Sequence, residues 1–305
     1  MDVVTGAFGY IGKYIARTLL SSGNKVKTIT THTQKENPFE NQVKAYPYHF
    51  DAPDLLIQNL KGCDTLFNTY WVRFTYGKCS FEKALENTKI LFECAKKAEI
   101  KKIVHISVTN VSETDELPYY RGKALQEKAL KESGVPYSII RPTLVYGKED
   151  ILVNNMAWML RVFPVFPIFG SGEYIVQPVF VEDLASIAVN IAKDSNSSII
   201  DAIGAESFTF KDLIKLMATK MGINVRFIHV NPALGILAGK IIGLFVKDVV
   251  LTKDELQGLM LNKLCSNQIP NGKTLFSKWL NENRESIGNK YTSELNRHFH
   301  WKPPA

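Results

Sequence analysis

What the chain lacks narrows it first. Its four cysteines, Cys63, Cys79, Cys94 and Cys265, form no Cys-x-x-Cys pair and have no histidine pattern beside them. That excludes the common zinc spacings and a disulfide framework, and argues for reduced thiols in a cytoplasmic protein with no metal. No apolar run reaches the roughly 20 uninterrupted residues of a spanning helix. The best candidate, ALGILAGKIIGLFVKDVVL at 233–251, is interrupted by Lys240 and Lys247. A helix of a substrate-binding lobe and a helix lying on a membrane surface both fit it. A targeting leader is not expected, because a structured motif follows Met1 almost at once. Fixed-period repeats and low-complexity segments are missing. Basic residues are dispersed: Lys96, Lys97, Lys101 and Lys102 form the one dense cluster, which reads as a solvated helix end instead of a nucleic-acid surface. The net charge of +7 leaves a weak preference for anionic partners, a phosphorylated cofactor among them.

What is present is a globular composition, 45% hydrophobic over 305 residues, enough for one large or two ordinary domains. Short β-rich apolar runs alternate with amphipathic helical segments through the first half. Strands are expected at 3–5, 26–32, 45–50, 65–70, 102–109 and 137–143, and helices at 13–23, 55–63, 81–99 and 119–134. Such alternation, with strands apolar on both faces, predicts an α/β fold: a Rossmann-type doubly wound parallel sheet. The dinucleotide-binding domain is expected over 1–150 with a return segment at about 176–203. A smaller, mainly helical lobe takes 151–175 and 204–305.

TGAFGYIG at 5–12 follows the first strand and opens the first helix. Gly6 permits the tight turn, Gly9 lets backbone approach a pyrophosphate, and Gly12 allows close helix–strand packing over an electropositive helix N-terminus. Phe8, Tyr10 and Ile11 complete the candidate pyrophosphate contacts. NAD-selective sites usually end the second strand with an acid that holds the ribose 2′-hydroxyl. Here the end reads Thr30-Thr31-His32-Thr33. With no carboxylate to repel a 2′-phosphate, NADP is preferred over NAD, bound by hydroxyls of Thr31 and Thr33 with His32, Lys13 or Lys35. Asp51 suits the adenine edge at the end of a third strand; a helix N-cap fits it as well.

In PYYRGKALQEKAL at 118–130, Tyr119 precedes Lys123 by four residues, which places both on one helix face. A surface tyrosine covering a lysine stem fits the same spacing. Taken with TGAFGYIG and RPTLVYG (141–147), the pair makes the chain resemble the short-chain dehydrogenase/reductase superfamily. More closely it resembles the extended and atypical branch, NAD-dependent epimerase/dehydratase-like, which includes the nucleotide-binding accessory subunit of respiratory complex I. LENTKILFECA (85–95), KKIVHIS (101–107) and VQPVFVEDLA (176–185) carry the resemblance over most of the chain.

The resemblance implies hydride transfer between nicotinamide and a carbonyl or hydroxyl carbon, as an oxidoreductase or an epimerase/dehydratase. Tyr119 would be the acid/base, Lys123 would lower its pKa and bind the nicotinamide ribose, and Asn87 would hold a relay water. Pro142 would border the cofactor. The hydroxyl arm departs from the family pattern: Ser107-Val108-Thr109 puts valine where relatives carry the second hydroxyl, so Ser107 or Thr109 must substitute. Tyr70 and Trp71 stand where relatives have small residues, and wall either the nicotinamide or a flat substrate; core packing is the alternative. Tyr146, Asn154, Asn155 and Trp158 are the expected pocket-mouth residues, though paired asparagines also cap loops. The implied partner is a small-molecule substrate, without nucleic acid; peripheral membrane contact and oligomerisation stay open. A non-catalytic NAD(P)H-binding accessory or redox-sensing protein is the alternative function.

Overall fold

The computed structural model describes residues 1–299. They divide into two units, Met1–Pro142 with Val181–Ala202, and Thr143–Phe180 with the chain from Ile203 onward.

The first unit runs β1 (Asp2–Thr5), α1 (Tyr10–Ser21), β2 (Val26–Ile29), β3 (Lys44–Tyr46), α2 (Pro53–Leu60), β4 (Thr65–Asn68), α3 (Phe81–Lys97), β5 (Lys102–Ile106), α4 (Pro118–Glu132) and β6 (Tyr137–Pro142). The chain then enters the second unit through β7 (Leu144–Tyr146), α5 (Leu152–Val162), β8 (Val165–Phe169), β9 (Ile175–Val176) and β10 (Pro178–Phe180). It returns to the first as α6 (Val181–Ile191) and β11 (Ser198–Ala202). The remainder of the second unit is β12 (Phe208–Thr209), α7 (Phe210–Lys220), β13 (Arg226–Val230), α8 (Pro232–Val246), α9 (Lys253–Met260), α10 (Phe276–Asn283) and α11 (Glu294–His298).

Seven strands of the first unit form one sheet in the order β11-β6-β5-β4-β1-β2-β3, every neighbouring pair parallel. The inner strands are buried on both faces, β1 and β5 at every position, as helix-covered parallel sheets require, while the edge strand β3 has no buried residue. The order reverses between β1 and β4, which opens the crevice used by doubly wound folds. Helix ends follow local chemistry. The Ser80 side chain caps α3 by accepting from Lys83 N–H at 3.2 Å, and Pro118 starts α4, where a missing N–H costs nothing.

Two expectations are corrected here. β2 and β3 stop at Ile29 and Tyr46, short of 32 and 50. The ladder ends there because Thr30 N–H donates to Tyr46 O, Pro47 has no N–H to continue, and His49 sits at φ 50°. Lys102 is not part of a solvated cluster. It is buried at the start of β5, and its ammonium donates to the carbonyls of Ile191, Asp194 and Asn196, closing the C-terminal end of α6. The mainly helical second unit also carries three two-stranded pairings, β7–β10 and β8–β13 parallel and β9–β12 antiparallel. Its core gathers Tyr146, Leu160, Phe166, Phe210, Phe276 and Trp279.

Gly12 is the tightest joint between α1 and β1. A Cβ there would stand 2.5 Å from Gly6 O, against 3.1 Å from the same oxygen for one at Gly9. Gly12→Ala is therefore expected to lower stability by about 1–3 kcal/mol, as overpacking does, with Gly9→Ala costing less. Urea unfolding midpoints check this; a Gly12→Ala midpoint equal to wild type contradicts it.

Candidate active site

The glycine loop is held by its own backbone. Gly6 adopts φ +63°, donates its N–H to Ile29 O at 2.9 Å, and accepts from Gly9 N–H at 2.8 Å. Ala7 N–H donates to Thr28 Oγ1, whose hydroxyl donates to Val4 O, so β2 clamps the turn. α1 then starts at Tyr10 with Gly9 as N-cap, no side-chain cap and no acid in its first turn. That leaves the helix N-terminus suited to a pyrophosphate. Phe8 packs near Phe39, and Tyr10 edge-on to Tyr14.

A groove of about 500 Å³ lies beside Phe8, lined by Thr33, Lys35, Asn37 and Lys44 and by no carboxylate. Thr31 is exposed and His32 half-buried, with its N–H on Thr30 Oγ1; neither lines the groove. Lys44, at the start of β3, went unremarked in the sequence because the surface it joins comes from Phe8 of the glycine loop and from the loop at 33–41. Asp51 is exposed beyond the end of β3, and the N-cap of α2 is Ala52, so Asp51 does not cap that helix.

A buried polar chain runs from the glycine loop across the sheet. Thr5 Oγ1 accepts from Thr69 N–H at 2.7 Å and donates to Asn68 Oδ1, which also accepts from Tyr70 N–H. Asn68 Nδ2 then faces His105 Nδ1 at 3.0 Å. With the Asn68 oxygen occupied as acceptor, Nδ1 accepts and the ring proton sits on Nε2. Burial, helped by Lys123, keeps His105 well below the usual histidine pKa, hence neutral. Sequence patterns gave no sign of this chain, since each link joins a different strand.

α4 presents the Tyr119–Lys123 pair. Tyr119 occupies its first turn, and Lys123, one turn on, is buried with its ammonium donating to Ile106 O at 2.9 Å. Loss of hydration pushes the Lys123 pKa down to about 7, against the attraction of Glu127. Trp71 lies across this face. Its ring is 5.2 Å from Lys123 Nζ, edge-on to Tyr119 at 6.2 Å and stacked on Phe81 at 5.6 Å. Gly122 makes room for it, since a Cβ there would stand 2.7 Å from the indole. Tyr120 packs with Val108 and Leu117.

Tyr70, the other bulky residue after β4, does not stand beside the pair. Its ring packs on Tyr48 and Phe50, and its hydroxyl accepts from Asn87 Nδ2 at 2.9 Å. Asn87 Oδ1 and Trp71 Nε1 are buried without a partner among the described residues. The Ser107 hydroxyl donates to Glu127 Oε1 at 2.6 Å, so its proton is engaged. Glu127 in turn receives a two-pronged contact from Arg141, at 2.8 and 2.6 Å. Thr109 is fully buried, its hydroxyl within 3.5 Å of the carbonyl of Pro142, the buried last residue of β6.

In the second unit, the residues expected at a pocket mouth serve packing and loop pinning. Tyr146 is fully buried among Phe180, Phe276 and Trp279. Asn154 Nδ2 donates to the carbonyls of Gly147, Lys148 and Asp150. Asn155 exchanges two hydrogen bonds with the backbone of Thr292, and Trp158 sits edge-on to Phe163 and Tyr291.

Residues 6–154 match the family model described as NAD(P)H-binding. This stretch is an NAD(P)H-binding domain. The mouse mitochondrial NADH dehydrogenase (ubiquinone) 1 alpha subcomplex subunit 9 is 25% identical, over 88% of this chain and 73% of its own. The Arabidopsis thaliana protein of the same name is 24% identical, and the match spans 56% of its length. A Dictyostelium discoideum sterol-4-alpha-carboxylate 3-dehydrogenase, decarboxylating, is 23% identical over 74% of this chain and 78% of its own. Among solved structures, the NADPH-dependent quinone oxidoreductase of Escherichia coli complexed with NADPH has the same fold, with a TM-score of 0.71 at 18% identity, over 95% of this chain and 100% of its own. The NAD(P)H-binding domain thus contains the glycine loop, the groove beside Phe8, and the Tyr119–Lys123 pair.

The buried lysine gives a pH signature. Its folded pKa of about 7 lies below the ordinary 10.5, so between these values the unfolded chain holds the proton more tightly. Lys123 therefore costs stability below about pH 7, and the cost is relieved as pH rises toward 10. From pH 7 to 9 the wild type is expected to gain roughly 1–2 kcal/mol that Lys123→Met does not. Urea unfolding of both proteins at these pH values checks the difference; parallel curves refute it.

Proposed function

We propose that the chain is an NAD(P)-dependent oxidoreductase of the short-chain dehydrogenase type, preferring NADP and reducing a flat carbonyl compound such as a quinone or aromatic ketone. Lys123 carries the proposal. Taking a lysine out of water is costly, and this one stands a turn beyond a tyrosine with no carboxylate bonded to it. Costly desolvation beside an acid/base candidate is how sites tune a proton donor.

Bound nicotinamide supplies or accepts hydride at its C4. The chain supplies the rest. Tyr119 delivers its phenolic proton to the substrate oxygen, and the charged form of Lys123 stabilises the phenolate left behind. Because Ser107 gives its proton to Glu127, the reading uses no second hydroxyl: Tyr119 is the sole acid. Trp71 and Phe81 form an aromatic wall along the same face, which favours a planar substrate. Gly12, the uncapped start of α1, and the carboxylate-free groove with Lys35 and Lys44 fit the pyrophosphate and the 2′-phosphate.

A second reading is dinucleotide binding without turnover. Trp71 seated on Gly122 and over Lys123 favours it, since the indole covers the ammonium the chemistry needs. Several relatives are subunits of an NADH dehydrogenase by name, which agrees with that reading.

Titration with NADPH and NADH, followed by quinone reduction assays, separates the two. The oxidoreductase reading expects Tyr119→Phe to cut turnover by roughly 10²–10⁴-fold while the NADPH Kd stays unchanged. No turnover by wild type over a panel of planar carbonyl compounds, with NADPH still bound, selects the second reading. For cofactor choice, Lys35→Glu with Lys44→Glu is expected to weaken NADPH by about tenfold or more relative to NADH, the scale of a lost charge-assisted hydrogen bond. Equal weakening of both cofactors would remove the preference for NADP.

A further inference from the structure

α8 is built with its small side inward. Gly235, Gly239 and Gly243 recur at every fourth residue and are its buried positions. They seat the helix closely: a Cβ on Gly235 would stand 2.1 Å from the Phe169 ring, and one on Gly243 2.6 Å from Asp248 O. The large apolar residues are consequently turned out. Leu234, Leu237, Ile241, Leu244 and Phe245 are all exposed, the last two at 80% and 83%. Their spacing of three, four, three and one residues keeps them on one side of the helix. An amphipathic helix of a water-soluble lobe has the opposite arrangement.

The charges on α8 itself and on the turn after it are cationic at the surface, with the half-exposed Asp254 following at the start of α9. Lys240, Lys247 and Lys253 are exposed. The one carboxylate between 231 and 253, Asp248, is buried and accepts from Glu294 N–H, Leu295 N–H and the Tyr291 hydroxyl. Beyond it, Glu255 is used in the capping box of α9 with Thr252. Alongside the helix runs an open groove of about 810 Å³, lined among others by Leu237, Ile241, Leu244 and Leu251, with Lys240 and Lys253 in its wall.

We propose that α8 and its groove dock on an anionic membrane surface, the apolar stripe set among the acyl chains at the headgroup boundary and the lysines against lipid phosphates. Exposed apolar residues flanked by cations, with no exposed carboxylate from 231 to 253, complement such a surface on both counts. A second copy fits less well, because a two-fold contact would bring the lysines of each copy near those of the other. The helix lies on the membrane and does not cross it: no helix among the described residues is long and apolar enough to span. The proposal is independent of the proposed reaction.

Co-sedimentation of the full chain with phosphatidylcholine vesicles, with and without phosphatidylglycerol, tests it at low and raised salt. Two double variants accompany the wild type, Leu244→Glu with Phe245→Glu and Lys240→Gln with Lys247→Gln; retained NADPH binding and an unchanged circular dichroism spectrum show that each is folded. Wild type is expected to pellet with the anionic vesicles, less so at raised salt. Each removed lysine should weaken binding about fivefold, and the Glu variant should stay in the supernatant. Failure to pellet with anionic vesicles overturns the proposal, as does equal pelleting of wild type and both variants. Sedimentation velocity showing a dimer that the Glu substitutions dissolve assigns the face to a second copy instead, and also overturns it.

Discussion

Glu127 ties α4 to the sheet, and the rest of the candidate site depends on that attachment. Its carboxylate is nearly inaccessible, yet it receives Arg141 from β6 through two nitrogens and Ser107 from the end of β5 through a hydroxyl. A buried carboxylate in an α-helix costs desolvation that its partners do little more than offset. What it secures is position. With α4 pinned over β5 and β6, Lys123 reaches the Ile106 carbonyl and Tyr119 stands one turn earlier, at the helix end nearest the strand termini. Ser107 is consumed in the attachment, which is why a serine at the end of β5 does not by itself make a hydroxyl arm.

The electrostatics of this region follow from one scarcity, water. His105 is fully enclosed and neutral, bonded through Nδ1 to Asn68. Lys123 is enclosed beside it and loses much of its preference for the charged form. Burial lowers both groups, and the Lys123 charge lowers His105 further, so this face holds little fixed positive charge until something anionic arrives. A phenolate formed on Tyr119 would be such an anion, and would draw the proton back onto Lys123.

Legibility in the sequence followed the range of the constraint. The glycine loop was readable because Gly6, Gly9 and Gly12 answer to backbone a few residues away. The Tyr119–Lys123 pair was readable because helical spacing is local, and the sheet because each buried strand announces itself by composition. Long-range choices were not. Nothing in Thr69-Tyr70-Trp71 says that Tyr70 turns toward Tyr48 and Asn87 while Trp71 crosses to Gly122, because the deciding partners lie on other elements. Lys102 read as one more surface lysine, and only the return of α6 supplies the carbonyls that bury it. Asn154 and Asn155 could have met a ligand; the loop at 147–150 and the backbone at Thr292 claim them instead.

The two halves of the NAD(P)H-binding domain rest on different kinds of constraint, and that bears on how function can vary on this fold. The phosphate half depends on atoms that are missing, the side chains of Gly6 and Gly12, and on backbone bonds to β2. The half around α4 depends on side chains that are present, Glu127, Lys123, Trp71 and Tyr119, each held by a partner on another element. A change in the second set leaves the first intact. Trp71 belongs to the second set alone: seated on Gly122, it touches both Tyr119 and Lys123 and none of the glycine loop's backbone bonds.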